Sequence, residues 1–140
     1  MHNEKNKTLA LYRLDRAKEL IADARNLYNT GSYKSANNRA YYSIFHAMRA
    51  VLALDEVDFK KHSGVIQYFQ REYIKTGIFE KSCSSIIMSA SEIRNASDYD
   101  DFYLASADEA QEQIDNAVAF AGVIEEYLND ATDKYITGIR

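Results

Sequence analysis

The sequence predicts an all-α protein, an antiparallel up-and-down bundle of four to five helices. Three observations favour this fold class. The chain contains no Pro, so no pyrrolidine ring interrupts a helix. Apolar residues recur at spacings of three and four along most of the chain, which places them on one face of a helix. No segment alternates apolar and polar residues with a period of two, so no sheet is expected.

The first two predicted helices cover residues 8–29 and 33–54. Gly31 lies between them and suits the left-handed conformation that ends many helices. The first stripe consists of Leu14, Ala17, Ile21, Ala24 and Tyr28. In the second helix large apolar and aromatic residues lie beside the stripe and widen it, so we expect this helix to lie at the centre of the bundle. Its stripe consists of Ala36, Ala40, Ile44, Ala47, Val51 and Leu54, flanked by Tyr41, Phe45, Met48 and Leu52.

Three more helices are predicted over residues 63–76, from residue 80 to about 99, and from residue 106 onward. Ser63 is a candidate cap for the first of these. Ser106 and Glu109 have the spacing of a capping box for the last one. The predicted buried positions are Val65, Ile66, Phe69, Tyr73, Ile74, Ile86, Ile87, Ala90, Ile93, Ser97, Ile114, Ala117, Ala121, Ile124 and Leu128.

Length and composition predict a single domain over residues 1–140, of which residues 130–140 are expected to form a flexible tail. Cys83 is the only cysteine, which excludes an internal disulfide and a structural zinc site. The N-terminus is interrupted by charges, unlike a signal peptide. No apolar run approaches the ~18 residues of a membrane span. We therefore expect a cytoplasmic protein with no membrane association, no metal and no cofactor.

Charge is distributed unevenly along the chain. Residues 1–97 contain 15 Lys or Arg and 10 Asp or Glu, whereas residues 98–133 contain 11 acids and no Lys or Arg. This asymmetry fits complementary helices within one bundle, which we favour, or a basic side that faces RNA.

Three segments resemble the HEPN domain (higher eukaryotes and prokaryotes nucleotide-binding). They read ANNRAYYSIFHAMRAVL over residues 36–52, KHSGVI over residues 61–66 and RNASDY over residues 94–99. The resemblance implies a four- to five-helix bundle that is commonly a homodimer. It also implies a minimal nucleotidyltransferase as the cognate partner, in pairs that act as toxin and antitoxin.

Catalytic members of this family are metal-independent ribonucleases. Their motif is an Arg followed four to six residues later by a His, at the dimer interface. Arg supplies a permanent forked cation and His titrates near neutral pH, which suits cleavage of RNA by its own 2′-hydroxyl. The resemblance places Arg94 at the position of the motif Arg.

No His follows Arg94, because the three histidines, His2, His46 and His62, all precede it. The motif spacing falls on Tyr99, Asp100 and Asp101 instead. We name Arg94 and Tyr99 as catalytic candidates, although a tyrosine with a pKa of about 10 is a poor base at neutral pH. Some relatives carry a tyrosine two residues beyond the His that the partner modifies with nucleotide. Asp101 occupies that position here, so this modification is not expected.

Four residues are candidates for binding nucleotide or RNA: Arg39, Lys61, Arg94 and Asn95. Lys61 and its neighbour Lys60 precede a predicted helix N-terminus, where a phosphate can bind. A formal Arg-His pair also exists at Arg39 and His46, but core packing is the favoured interpretation of His46.

A structural role for Arg94 is the competing interpretation. Arg94 and Asp98 lie one helical turn apart and can form an ion pair. We place Asp98 and Tyr42 in a structural network with Arg94, and we expect Arg39 to pair with the region around Asp98.

Three functions remain open from the sequence. The favoured one is a toxin-like member of a HEPN and nucleotidyltransferase pair that acts by binding RNA, nucleotide or its partner. The second is an active metal-independent endoribonuclease that uses Arg94 at a dimer interface. The third is a non-catalytic adaptor whose acidic last helix binds a basic partner.

Overall fold

The computed structural model describes the backbone of residues 3–137 and the side chains of residues 3–131. It contains five helices, which are α1 (Glu4–Asn29), α2 (Tyr33–Leu54), α3 (His62–Phe69), α4 (Lys81–Tyr99) and α5 (Ala107–Thr137). There is no strand within these residues, and the predicted all-α bundle is confirmed. None of the helices described is long and apolar enough to cross a membrane.

The predicted tail falls partly outside the described residues. The backbone of α5 continues to Thr137, and residues 138–140 are not among those described. Flexibility over residues 130–140 stays a prediction.

Helices α1 and α2 form a hairpin through a three-residue turn at residues 30–32. Gly31 has φ +81°, the left-handed conformation that the sequence predicted. The amide of Ser32 donates to the carbonyl of Leu27 at 2.8 Å, and the amide of Gly31 donates to Tyr28 at 3.0 Å. These two bonds form a Schellman motif, which satisfies the last carbonyls of α1 and reverses the chain.

Helix α2 is the centre of the bundle, packed against all four other helices. Every position of its predicted stripe is buried. Small side chains let α1 approach closely, since Ala36, Ala40 and Ala47 are fully buried. Ser43, also fully buried, donates its hydroxyl to the Ala17 carbonyl on α1 at 2.8 Å. The central position predicted for this helix is confirmed.

Two helices begin at residues other than those predicted. Helix α1 starts at Glu4, four residues earlier than expected, because the Asn3 side chain accepts a hydrogen bond from the Asn6 amide at 2.8 Å. Helix α3 starts at His62, with Lys61 at the N-cap position and no side-chain cap. Ser63 therefore lies inside the first turn, and its expected capping role is wrong.

A π-helical turn, Gln70–Ile74, follows α3 directly. The amide of Lys75 donates to the carbonyl of Gln70 at 2.8 Å, five residues back, so the turn holds one more residue than an α turn. Tyr73 and Ile74 are both buried, whereas Lys75 is exposed. The helix predicted over residues 63–76 is therefore present, with a widened turn in its second half.

A partly buried polar cluster anchors the segment between α4 and α5. Ser106 caps α5 as predicted, because its hydroxyl accepts a hydrogen bond from the Glu109 amide at 3.1 Å. The Glu109 carboxylate does not complete the capping box. It accepts a short hydrogen bond from the Tyr103 hydroxyl and another from the Asn37 amide at 3.3 Å. Burial and the Glu109 carboxylate raise the pKa of Tyr103 to about 12.

An aromatic cluster fills the core beneath α3 and the π turn. The fully buried Phe69 ring has its centroid 5.4 Å from Tyr73, 5.4 Å from Phe79 and 5.8 Å from Phe120. This cluster joins α3 to α5.

We expect Phe69→Ala to lower the free energy of unfolding by about 3–5 kcal/mol, because it leaves a cavity among three rings. Urea denaturation followed by circular dichroism measures the change. Tyr12→Ala is the matched control: that ring is 69% exposed, so a change within about 0.5 kcal/mol is expected. A loss below about 1 kcal/mol for Phe69→Ala would contradict the packing described.

Candidate functional site

Three polar side chains from three helices meet at one side of the bundle. Arg94 of α4 lies with its Nη1 2.9 Å from Nδ1 of His62, the first residue of α3 and 32 positions earlier in the chain. The hydroxyl of Tyr41 on α2 is 3.0 Å from the same His62 nitrogen and 3.3 Å from Arg94 Nη1. We call these three residues the Arg94 cluster.

Aromatic rings of α2 form the floor beneath this cluster. The guanidinium carbon of Arg94 lies 4.8 Å from the Tyr41 ring centroid and 5.7 Å from that of Tyr42. The His62 ring lies 4.1 Å from the centroid of Phe45. Cation–π attraction and stacking therefore hold both the guanidinium and the imidazole against one helix.

The Arg94 guanidinium is only partly neutralised. Its Nε lies 3.5 Å from Asp98 Oδ2, one turn along α4, and the side chains are 27% and 42% exposed. Its Nη2 makes no hydrogen bond with any described residue. One edge of the guanidinium fork therefore remains available to an incoming acceptor.

His62 is held as a neutral imidazole. Burial lowers its pKa below the ordinary value, and the positive charges of Arg94 and Arg49 lower this pKa further. Because arginine can only donate, Nδ1 accepts the bond from Arg94 and the neutral ring carries its hydrogen on Nε2. Among the described residues Nε2 has no partner. The cluster thus offers two free N–H donors, one from each residue.

Positive charge extends from the cluster along the exposed face of α2. Arg49 Nη2 lies 2.8 Å from Asp58 Oδ2, and Arg13 of α1 lies 3.3 Å from the same oxygen. One carboxylate is therefore shared by two arginines. His46 lies beside them and is half-buried. Burial lowers the pKa of His46, and the positive charges of Arg49 and Arg16 lower it further. Two arginines on one carboxylate leave a net positive charge beside His46, which favours an anionic ligand there.

The structure brings some of the candidate residues together and leaves others apart. Asp98 and Tyr42 both contact Arg94. Lys61 directly precedes His62 and is exposed, as is Asn95, which directly follows Arg94. Both are positioned beside the cluster without joining it.

Arg39 does not pair with the region around Asp98, so that expectation is wrong. Its Nη1 donates to Asn38 Oδ1 at 2.8 Å, and the side chain is exposed, so it needs no buried partner. The Asp98 carboxylate is already paired with Arg94. His46 is half-buried at the edge of the core, with an edge-to-face contact to Phe45 at 5.8 Å.

Tyr99 lies apart from Arg94. It is the last residue of α4, and its side chain is 84% exposed. A role for Tyr99 at the Arg94 of the same chain has no geometric support, and any such role requires a second copy of the protein.

Sequence reasoning missed His62. The motif spacing predicts a histidine after Arg94. The imidazole that contacts Arg94 comes instead from His62 of α3, 32 residues earlier in the chain. A signal was present, because the segment KHSGVI at residues 61–66 is one of the three that carry the family resemblance.

No group of three or more His, Cys, Asp or Glu side chains that could hold a metal ion occurs among the described residues.

Comparison with known proteins supplies the family. A family model described as HEPN domain matches residues 10–130. A Thermotoga maritima protein named "UPF0332 protein" is 34% identical over 128 residues, which cover 91% of this chain and 96% of that protein. A Methanocaldococcus jannaschii protein named "Putative toxin" is 32% identical over 115 residues, which cover 82% of this chain and 78% of that protein. A second protein of that organism and name is 35% identical over 83 residues, or 59% of this chain and 62% of its own length.

We expect Arg94→Gln to raise the pKa of His62 toward its ordinary value of 6.5. Removal of the positive charge makes protonation of the imidazole easier, while burial, the larger cause, still holds the pKa below 6.5. Titration of the histidine side chains by NMR measures this. Arg25→Gln is the control, because Arg25 is not among the groups that shift the pKa of His62. An unchanged His62 midpoint would contradict the contact.

Proposed function

The chain belongs to the HEPN domain family, and on that premise we propose that it is a toxin-like protein that binds RNA. The Arg94 cluster holds a phosphate of the RNA backbone in this proposal. The observation that carries it is the 2.9 Å contact between the Arg94 guanidinium and the His62 imidazole. Two relatives that carry the name "Putative toxin" support the toxin-like role.

The chemistry of the cluster fits a phosphate better than a neutral ligand. A phosphate can accept from Arg94 Nη2 or from His62 Nε2, neither of which has a hydrogen-bond partner among the described residues. Charge-assisted hydrogen bonds of this kind are stronger than hydrogen bonds between neutral groups. The ring floor holds both donors in place before the ligand arrives, so little side-chain entropy is lost on binding. The arginines along α2 add attraction for a polyanion.

A partner and a second copy are part of the same proposal. The family resemblance favours a homodimer in the cytoplasm that pairs with a minimal nucleotidyltransferase. Free nucleotide is the competing ligand, because Arg94, Lys61 and Arg39 suit its phosphates equally well. Calorimetry with ATP, GTP and their monophosphates separates the two ligands, since RNA alone should bind measurably.

We expect Arg94→Ala to weaken RNA binding by about ten- to a hundredfold, since a hydrogen bond to a charged group contributes about 1.5–3 kcal/mol. His62→Ala should weaken it by about tenfold. Fluorescence anisotropy with a labelled single-stranded RNA measures both. Arg25→Ala, an exposed arginine on the side of the bundle where α1 faces α5, is the control and should change the affinity by less than threefold. Equal affinities for all four proteins would reject the site.

Cleavage of RNA is a second candidate function, and it is favoured by the presence of an imidazole beside Arg94. In the reaction the 2′-oxygen of a ribose attacks the adjacent phosphorus, and the bond from phosphorus to the 5′-oxygen breaks. The products are a 2′,3′-cyclic phosphate and a 5′-hydroxyl. A base takes the proton of the 2′-hydroxyl, and the leaving 5′-oxygen takes a proton from water.

His62 becomes available as that base when the ligand rearranges the cluster. In the unliganded arrangement the lone pair of Nδ1 accepts hydrogen bonds from Arg94 and Tyr41. A phosphate that attracts the guanidinium removes the bond from Arg94, and rotation of the Tyr41 hydroxyl removes the other, which frees the lone pair for a proton. Arg94 then stabilises the charge that develops on the phosphate.

If this candidate holds, the wild-type protein cleaves single-stranded RNA in the presence of EDTA, and His62→Ala slows cleavage by about a hundredfold or more. Gel analysis of a labelled RNA with detection of the cyclic phosphate measures the rate. Arg25→Ala is the control and should cleave at the wild-type rate, because Arg25 is exposed on the side of the bundle where α1 faces α5. Binding that needs Arg94 without any cleavage would leave RNA binding as the function and reject catalysis.

A further inference from the structure

One strip of α2 connects the Arg94 cluster with a pair of arginines. Between residues 40 and 54, all of which the structure describes, only Tyr42, His46 and Arg49 are not fully buried. Their spacings of four and three residues place them on one face of the helix. Tyr42 lies under the Arg94 guanidinium at 5.7 Å, and Arg49 lies two turns further on, roughly 10 Å along the helix axis.

The two arginines converge on a single carboxylate oxygen. Arg49 Nη2 lies 2.8 Å and Arg13 Nη2 lies 3.3 Å from Oδ2 of Asp58. The backbone amide of Phe59 donates to the other oxygen of Asp58 at 2.9 Å. Two guanidinium groups and one amide therefore surround one anion. Phosphate is bound by the same types of donor as carboxylate.

One carboxylate does not compensate for the positive charge at this place. Burial lowers the pKa of Arg13, and the positive charge of Arg49 lowers it further, although Asp58 acts in the opposite direction. Two cations held this close favour an anion between them, whether that anion is a carboxylate or a phosphate.

Asp58 is the member of this group that can leave. Its side chain is 49% exposed, whereas those of Arg13 and Arg49 are 13% and 24% exposed. It lies in the connection between α2 and α3, and an ion pair with such an exposed partner contributes little to stability. The arginines are fixed independently of it. Nη1 of Arg13 donates to the backbone carbonyl of Arg49 at 3.0 Å, and the Arg49 guanidinium lies 6.0 Å from the Phe45 ring centroid.

We propose that Arg13 and Arg49 form a second phosphate subsite for RNA, and that the Asp58 carboxylate fills it until a bound strand displaces it. The proposal rests on the proposed function, because the Arg94 cluster must hold the strand first. A strand held there presents its other phosphates to the subsite at a high effective concentration. A free nucleotide lacks this advantage, so the ligand class is a single-stranded polynucleotide.

The competing interpretation is that Asp58 only fastens the connection between α2 and α3. The two interpretations predict opposite results for RNA binding when Asp58 loses its charge. A competitor for the subsite would give tighter binding on removal, whereas a fastening would give unchanged or weaker binding. A gain in affinity cannot arise from a damaged fold.

Fluorescence anisotropy of the full chain with a labelled oligouridylate tests the proposal. A strand advances about 3.4 Å per nucleotide when stacked as in a duplex, so about eight nucleotides are long enough to reach both places. Asp58→Asn should bind this RNA about three- to tenfold more tightly than the wild type. Glu56→Gln is the matched control, because it removes one exposed carboxylate from the same connection. Its affinity should change by less than twofold.

Removal of an arginine tests the subsite from the other side. Arg49→Gln should weaken binding about three- to tenfold, with an unchanged circular dichroism spectrum. The logarithmic dependence of affinity on salt should become shallower by about 0.7, the value for one phosphate contact on a single strand. In the Arg49→Gln background, Asp58→Asn should give less than a twofold gain, because the two residues act at one place.

Two outcomes would overturn the subsite and leave the proposed function standing, provided that Arg94→Ala still weakens binding. One is an Asp58→Asn protein that binds RNA no more tightly than Glu56→Gln does. The other is an Arg49→Gln protein with the affinity and salt dependence of the wild type. If Arg94→Ala also binds like the wild type, the proposed function fails and the subsite fails with it.

Discussion

Burial of α2 on nearly all sides is the constraint on which the other elements depend. Close packing against α1 requires alanines where the two helices meet, and a larger side chain at Ala40 or Ala47 would separate them. With its small residues directed to α1 and its large ones to the core, α2 has one strip left over. That strip holds Tyr42, His46 and Arg49, and Tyr41 and Phe45 lie beside it. The floor of the functional site is therefore a product of the core packing.

The Arg94 cluster shows how a guanidinium is kept at a partly buried position without full neutralisation. Two tyrosine rings lie beneath it and one carboxylate lies at its edge. The rings attract the cation through their quadrupoles while adding no net charge. An arginine between two carboxylates would be more fully paired but would have no donor left for a ligand. The observed arrangement keeps the side chain fixed and part of its hydrogen-bonding capacity free.

The sequence predicted the fold well because helical periodicity is a local property. The stripes of α1 and α2, the left-handed Gly31 and the Ser106 cap all depend on residues within a turn or two of each other. The sequence did not predict the start of α3 or the π turn. It also did not predict that the Glu109 carboxylate would bind Tyr103 and Asn37, because these are tertiary contacts.

The site was predicted only in part, for the same physical reason. Arg94 and its neighbour Asp98 lie on one helix, where spacing is informative. His62 reaches Arg94 because α3 packs against α2 and the π turn packs against α4, and no spacing rule within one helix can find such a pair. The exposure of Tyr99 follows from its position at the end of α4. The exposure of Arg39 follows from the face of α2 on which it lies.

The π turn after α3 ties the length of the chain to the position of the imidazole. Successive residues of an α-helix are rotated by about 100° about the axis, and the turn Gln70–Ile74 accommodates one residue beyond the α repeat. Deletion of a single residue from this turn would allow two arrangements of the chain. The chain could keep Tyr73 and Ile74 in the core and rotate His62 away from Arg94, or keep His62 in place and turn the core residues outward. Insertions and deletions in this short stretch are thus coupled to the integrity of a site more than two turns away, so segment length is as much a determinant of the site as residue identity.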